Sequence, residues 1–471
     1  MKQDVVRAIE DKAPRYTELS DAIWETPELC FQEFKSSAMQ MVLLEKEGFR
    51  ITKGLAGMAT AFVAEAGSGG PVIGFLGEFD ALSGLSQDAG VPVRQSATPG
   101  ASGHGCGHNL HGTGAMLAAA ALKDVLQARG LPGTVRYYGC PAEEGGSGKT
   151  FMTRAGVFDD LDVALNWHPA SFSTVKAFPS LAVIQAAFRF TGKAAHAAAA
   201  PHHGRSALDA VELFNVGVNY LREHMPDQAR VHYAVTDSGG LAPNVVQARA
   251  EVLYYVRAPD IHETKELFQR VRRVAEGAAM MTETTVEVSA SRGCSNNIYN
   301  KVLDQVMYEN LLALGSPPFD EADRAFAAEI RKTFSETDIS FNALNFGFPG
   351  QMEKPLNDSV VKEAPQLLGG SSDMGDVTWV VPTTQYFGAC YAVGTEFHTW
   401  QLVAQGKTPA AHKGMIHAAK VLATTAAALM EDPVLIEAAK VEQKAMTRNR
   451  AYSCPIPPEV QPPSYEPQPA S

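Results

Sequence analysis

The stretch "VIGFLGEFDAL", Val72–Leu82, is apolar almost without interruption. A run of this kind suits a strand of a parallel sheet, buried on both faces by helices. Its surroundings supply both partners. "TAFVAEAG" precedes it, and "GTVRYYGCPAEE" and "DVALNWHP" read as further strands. "GTGAMLAAAALKDVLQARG" is an Ala- and Leu-rich helix closed by Gly130, and "KTFMTRAGVF" is a short helix between the later strands. Two more helices are expected around Gln3–Trp24 and Glu33–Gly48. Strands alternating with helices predict an α/β fold, a mixed and mostly parallel sheet flanked by helices.

The pattern changes near Leu181. "LAVIQAAFRFTG", "SALDAVELFNVGVNYLREH", "RVHYAVTDSGG", "NVVQARAEVLYYVRAPD", "HETKELFQRVRRVAEGAAMM" and "TTVEVSASRG" follow in the order β-α-β-β-α-β, the ferredoxin-like unit. Helices and strands resume near Asn300, and the end, "CPIPPEVQPPSYEPQPAS", is proline-rich and expected to be extended or disordered. The expected organisation is a catalytic domain in two parts, 1–180 and 300–455, an inserted α+β lid and dimerisation domain at 181–299, and a tail at 456–471. A chain of 471 residues is long for a single core.

With 40 Lys and Arg against 52 Asp and Glu, the formal charge is -12. No basic stripe offsets it, which disfavours nucleic acid and anionic membranes as partners. Six cysteines without a CxxC pair fit a reducing, cytoplasmic compartment better than a disulfide framework. The opening "MKQDVVRAIEDKAPRY" is charged and helix-like and lacks the apolar core of a secretory signal.

Successive strands end in polar groups: Glu78 and Asp80, then Glu143 and Glu144, then His168. In open α/β sheets, ligands bind beyond the carboxyl ends of strands, so these groups are placed to converge. Between them lies "GHGCGHNLHGTG", Gly103–Gly114. A dinucleotide loop needs a strand directly before it and G-x-G-x-x-G spacing, and neither is present. A helix-capping role is tenable for His104 or His111 singly. It explains less well Cys106 and His108 two apart at a helix start, where a thiol is acidified. A metal site needs distant partners, which the acidic pair and His168 supply. The two neighbouring carboxylates of "AEE" point in different directions at a strand end. One is then free to bind metal while the other takes a proton from water, a division suited to metal-assisted hydrolysis.

Taken in order, "GEFDAL", "HGCGHN", "PAEEGG", "NWHP", "AAHAAAAPHHGRSALDAV", "LAPNVVQARAEVLYYVRA" and "GTEFHTWQ" resemble the dinuclear metallo-amidohydrolases that include hippurate hydrolase, auxin-conjugate hydrolases, aminoacylase and glutamate carboxypeptidase. The resemblance implies two divalent ions, Zn²⁺ or Mn²⁺, with Cys106 bridging them and His108, Glu144, His168 and His398 completing the ligands. It implies Glu143 as general base, and Asp80 as the carboxylate that orients a ligating imidazole. His196, in the insert, resembles a histidine that reaches a partner subunit's site to polarise the scissile carbonyl. Asn244 and Arg257 resemble lid residues that hold the substrate's carboxylate; an ion pair within the lid is the plainer reading of Arg257. "CGHN", "GSSDMGDVTW" and "CPIPPEVQPP" resemble a branch that acts on p-aminobenzoyl-glutamate. Glu78, Ser83 and Asn109 stand where the family commonly has Asp, Pro and Asp, which puts generic hippurate-type specificity in doubt.

The chain is therefore read as a metal-dependent amidohydrolase of N-aroyl or N-acyl amino acids, p-aminobenzoyl-glutamate first, acting as a homodimer or with a homologous subunit. A dipeptidase shares the chemistry. A non-catalytic or partner-dependent subunit of a heteromeric hydrolase is the rival of a different class.

Overall fold

The computed structural model describes residues 1–175, 179–346, 352–361 and 370–466. Its strands are β1 (Arg50–Lys53), β2 (Phe62–Ser68), β3 (Val72–Glu78), β4 (Gly133–Cys140), β5 (Val163–Ala170), β6 (Ser173–Val175), β7 (Ala182–Thr191), β8 (Arg230–Asp237), β9 (Arg249–Ala258), β10 (Thr285–Cys294), β11 (Val360–Val361) and β12 (Thr383–Ala389). Eight form one sheet in the order β1-β2-β4-β3-β5-β12-β6-β11. The pairs β4–β3, β3–β5 and β5–β12 are parallel, and β1–β2, β2–β4 and β12–β6 are antiparallel. The predicted buried strand, β3, thus lies between parallel neighbours. Ile73, Phe75 and Leu76 on it are fully buried. β3 stops at Glu78, short of the apolar "FDAL" that follows; Leu82 instead makes an isolated bridge to Gly103, at the start of the histidine-rich loop.

The helix predicted from Gly112 begins four residues earlier, as His108–Arg129. It follows Gly107, whose φ is 80°; a Cβ there would come within 2.2 Å of Tyr391 Oη, so the position has room for glycine alone. His108 and His111 are therefore one helical turn apart on one face. Its small residues let the helix press on the sheet: at Gly114 a Cβ would come within 2.8 Å of Trp167. Helices Lys2–Trp24 and Pro409–Glu431 pack beside it in the main apolar core.

The β-α-β-β-α-β segment forms a separate antiparallel sheet, β10-β7-β9-β8, with helices Ala207–Leu221 and Ile261–Thr282 and its own core around Phe188, Phe214 and Tyr254. Both helices are N-capped by side chains, Ser206 accepting from Asp209 N and Asp260 from His262 N. β8 is the sheet edge, and Tyr233 and Val235 on it are exposed.

The proline-rich end is extended, as its composition dictates, and it is docked. Ile456 is buried, Arg154 donates to the carbonyls of Pro457 and Val460 (both 2.9 Å), and Lys265 donates to the Cys454 carbonyl (2.9 Å). Prolines remove donors and leave carbonyls, so the segment is held through carbonyls by cationic side chains. Its residues 467–471 lie outside the described part. Ile456→Ala is expected to destabilise the protein by about 2–5 kcal/mol, read as a lower midpoint of denaturant unfolding. An unchanged midpoint would show that the tail merely rests on the surface.

Candidate metal centre

The carboxyl ends of three parallel strands supply the chemistry. β3 ends at Glu78 with Asp80 just beyond; β4 ends at Cys140 and leads to Glu143 and Glu144; β5 carries His168. Cys106 precedes the central helix, and His398 follows β12 in a backbone of φ 62°, pinned by its N–H to Gly105 O (2.8 Å). A second left-handed residue, Ala142 (φ 61°), turns the chain before Glu143. Its N–H donates to the buried carboxylate of Glu33 (2.9 Å).

These side chains meet. Cys106, His108 and His168 offer donor atoms within 4.8 Å of one another, and so do Cys106, Glu144 and His398. Cys106 Sγ is 3.5 Å from His168 Nε2, and His398 Nε2 is 3.2 Å from Glu144 Oε2. Each imidazole is oriented from behind. His108 Nδ1 lies 2.9 Å from Asp80 Oδ1, and His168 Nδ1 lies 2.9 Å from the Pro169 carbonyl. Both rings thus present Nε2 to the cluster. Asp80 Oδ2 accepts from Glu144 N (2.9 Å), so one carboxylate sets two members at once.

The donor set fits divalent cations. His108 Nε2 and Glu144 Oε1 are buried without a hydrogen-bond partner, which is costly unless something else binds there. Burial, then the Glu144 charge, push the Cys106 thiol well above its ordinary range. Burial and the charges of Glu78, Asp373 and Glu144 do the same to Glu143. Glu144, although burial opposes it, is drawn down by its His398 hydrogen bond and by His108. A mixed thiol, imidazole and carboxylate set of this kind matches the ligand preference of zinc-like ions.

The structure places the expected ligands Cys106, His108, Glu144, His168 and His398 together, with Glu143 and Asp80 beside them. Glu143, Glu144, Cys106, His168 and His398 line one cavity of about 360 Å³. The insert residues are elsewhere. His196 is exposed, and its Nδ1 accepts from the N–H groups of Ala198 and Ala199 (3.2 and 3.1 Å). Asn244 holds Ala197 N through its carbonyl (2.9 Å), beside the bridge between His196 and Val245. Neither lines the cavity of its own chain. Arg257 donates from Nη1 to Ser371 Oγ (2.6 Å), a cavity-lining residue, and its plane lies over Tyr255.

Several members escaped the sequence reading. Glu78, expected at the converging strand ends but given no role there, is 3.2 Å from His108 Nε2, and it groups with His108 and Glu143 in a third set of nearby donors. The fully buried Lys149 spans Glu78 (2.7 Å) and Asp373 (2.6 Å). Burial opposes ionisation of Glu78, but His111 and Lys149 hold it below the ordinary carboxylate range. Nothing in "SGKTF" marks that lysine as buried; only the fold brings its two acids together. His111 accepts from Glu78 N (2.9 Å) and stacks on Trp167, while His104 Nε2 lies 3.1 Å from the Ile23 carbonyl. Burial lowers both rings to about 3, and among the described residues neither belongs to a group of nearby donors with Cys106. Asn109 donates to Ser20 Oγ and the Gly406 carbonyl (both 3.1 Å), and Ser83 is exposed.

Residues 74–343 match the peptidase family M20/M25/M40. The chain is 48% identical over 467 residues, 97% of each chain, to the B subunit of p-aminobenzoyl-glutamate hydrolase from Escherichia coli (strain K12). It is 30% identical to the Xaa-Arg dipeptidase of Mus musculus, covering 94% of this chain and 92% of that one. A dinuclear metal binding peptidase from Bacillus subtilis shares the fold, with TM-score 0.55 and 21% identity over 88% of this chain and 99% of that one.

Lys149→Met is expected to destabilise the protein by about 3–5 kcal/mol, because Glu78 and Asp373 are left buried without a counter-charge. Adding Glu78→Gln and Asp373→Asn should recover part of that loss in denaturant unfolding. Equal stability of Lys149→Met and the native protein would show that the ammonium compensates nothing.

Proposed function

Since the chain belongs to peptidase family M20/M25/M40, whose members include metal-dependent amidohydrolases, we propose that it cleaves the amide bond of N-aroyl amino acids, p-aminobenzoyl-glutamate first, releasing p-aminobenzoate and glutamate. One observation carries the chemistry: Cys106 belongs to two donor sets at once, with His108 and His168 on one side and Glu144 and His398 on the other. The substrate assignment rests on the similarity to the Escherichia coli p-aminobenzoyl-glutamate hydrolase.

These five side chains would hold two divalent ions, Zn²⁺ or Mn²⁺. When bound, such ions make water acidic and polarise a carbonyl. Glu143 lies outside both sets and moves the proton. It takes one from the water that adds to the amide carbon and hands it to the nitrogen as the C–N bond breaks. Asp80 keeps His108 in the tautomer that presents Nε2. Arg257, already at Ser371 on the cavity wall, and Asn244 hold the amino acid's carboxylate.

His196 and Asn244 sit together on the insert and away from their own cavity, which favours a site completed by a second subunit. Because His196 Nδ1 accepts hydrogen bonds, the neutral ring carries its proton on Nε2, the donor needed to polarise a carbonyl. The exposed edge β8, with Tyr233 and Val235, suits pairing with the same edge of another chain. That partner is a second copy or a homologous subunit. No helix among the described residues is long and apolar enough to cross a membrane, and the six cysteines are unpaired, in keeping with a cytoplasmic enzyme. A dipeptidase reading is favoured by the likeness to the Xaa-Arg dipeptidase; a panel of benzoyl-glutamates and Xaa-Arg dipeptides separates the two.

Purified protein should bind close to two divalent ions per chain, and chelation should abolish hydrolysis until Mn²⁺ or Zn²⁺ is restored. Glu143→Gln should keep its metal and lose about 10²–10⁴-fold in kcat. If Glu143→Gln loses metal while Glu144→Gln keeps it, the two roles are exchanged. For the shared site, inactive His196→Ala and Glu143→Gln chains are mixed under exchange. In a mixed dimer one site takes both lesions and the other neither, so activity should return to about half of the native value per mixed dimer. No recovery despite demonstrated exchange would place His196 in its own chain's site or in none.

A further inference from the structure

We propose that the floor of the catalytic cavity, built by Asp304 and Thr384, recognises a hydrogen-bond donor at the far end of the substrate's acyl group, and that this donor is an aromatic amine. The proposal deepens the functional reading and rests on it for the choice of acyl group.

Asp304 and Thr384 line the same cavity as His168 and Phe387. β5 and β12 run parallel, with His168 opposite Phe387 and Leu165 opposite Thr384. Thr384 thus lies three residues back along β12 from the level of the metal-ligating histidine, about 10 Å at the usual rise of a strand. A para-aminobenzoyl group spans about 6 Å from carbonyl carbon to amine nitrogen, and a hydrogen bond adds about 3 Å. That rise along the strand is of the same order as one benzene ring and one hydrogen bond.

The walls suit a ring. Phe387 and Phe397 flank His168, with ring centroids 6.2 and 5.3 Å from it, and Ile298 and Met374 add apolar surface. The floor is the exception. Thr384 Oγ1 donates to Asp304 Oδ1 (2.6 Å), and among the described residues no other side chain donates to this carboxylate. Asp304 itself lines the cavity. Burial raises Asp304 to about 6, so it is mostly ionised at neutral pH. Nothing in the chemistry assigned to Glu143, Asp80 or the metal ligands uses it. An acidic floor accepts hydrogen bonds and repels carboxylates. It therefore directs the two carboxylates of a glutamyl group the other way, toward Ser371 and Arg257.

The test uses binding without turnover. Glu143→Gln protein supplied with Mn²⁺ is titrated calorimetrically with p-aminobenzoyl-glutamate, benzoyl-glutamate and p-(aminomethyl)benzoyl-glutamate, and native enzyme is assayed on the same series. The p-amino compound is expected to bind about tenfold or more tightly than the unsubstituted one, the worth of a hydrogen bond to a charged acceptor. Asp304→Ala and Asp304→Asn, added to Glu143→Gln, should bring that ratio toward one. A ratio near one before Asp304 is altered overturns the proposal, even if the variants do not fold. A ratio that survives both substitutions does so as well, and tighter binding of the cationic aminomethyl compound overturns the aromatic-amine assignment. If native enzyme hydrolyses none of the three while the binding preference holds, the substrate reading fails and the recognition by Asp304 stands.

Discussion

The carboxylate of Asp80 ties the centre together. One oxygen fixes the tautomer of His108 and the other holds the backbone N–H of Glu144. The two groups lie on different elements, a helix and the loop after β4, and belong to different donor sets. A single buried side chain thus sets the spacing between the two halves of the centre. Its own position depends on β3 lying between parallel neighbours, so the loop after Glu78 opens at the same end of the sheet as the loops after β4 and β5. That a parallel sheet gathers its loops at one end is the reason residues from 78 to 398 can meet in one cluster.

So much negative charge in one buried place needs compensation from the protein as well as from cations. Lys149 provides it between Glu78 and Asp373, and Thr150, one residue on, donates to Asp376 (2.7 Å). Asp376 also accepts from Ser295 and Tyr452 (2.7 and 2.8 Å). The short helix Gly148–Arg154 therefore links the loop after β4 to the segment before β12 and to the tail. Burying charge of this density is expensive, and it is retained where the site's chemistry needs it.

Cys106, His108, Glu144 and His168 stood out in the sequence because each lies near a strand end or a helix start, where residue type and local pattern are informative, whereas His398, in the loop after β12, was named by the resemblance alone. "VIGFLGEF", "CGH" and "AEE" carry that signal over a few residues. The β-α-β-β-α-β order was legible for the same reason, since alternation and amphipathic periods are local. Lys149, Asp373 and Asp304 were not. Each owes its role to a partner far along the chain, such as Thr384 for Asp304, 80 residues away. A lysine after Ser-Gly carries no sign of burial, and only tertiary packing removes it from water. The docked tail is a related case. Its composition excluded regular structure correctly, but Ile456 and the carbonyls held by Arg154 needed the fold to acquire partners.

Chemistry and selectivity are then separable in this molecule. Glu143, Glu144 and His168 lie at or just beyond the ends of β4 and β5, Cys106 and His108 at a helix start and His398 after β12, and the reaction proposed for them concerns only the amide bond that any N-acyl amino acid has. The acyl side of the cavity is bounded by β12 and by helix Lys301–Leu314, which carries Asp304. The amino acid side opens toward Ser371, Arg257 and the inserted sheet. Changes in Asp304 are expected to alter what is accepted without moving Asp80 or the side chains it orients, whereas the insert carries both Arg257 and His196 and is proposed to serve binding and bond breaking alike. A family built on this plan can therefore keep one reaction and vary the acyl group it accepts, because the acyl side of the cavity and the cluster of metal-binding side chains are held by different parts of the fold.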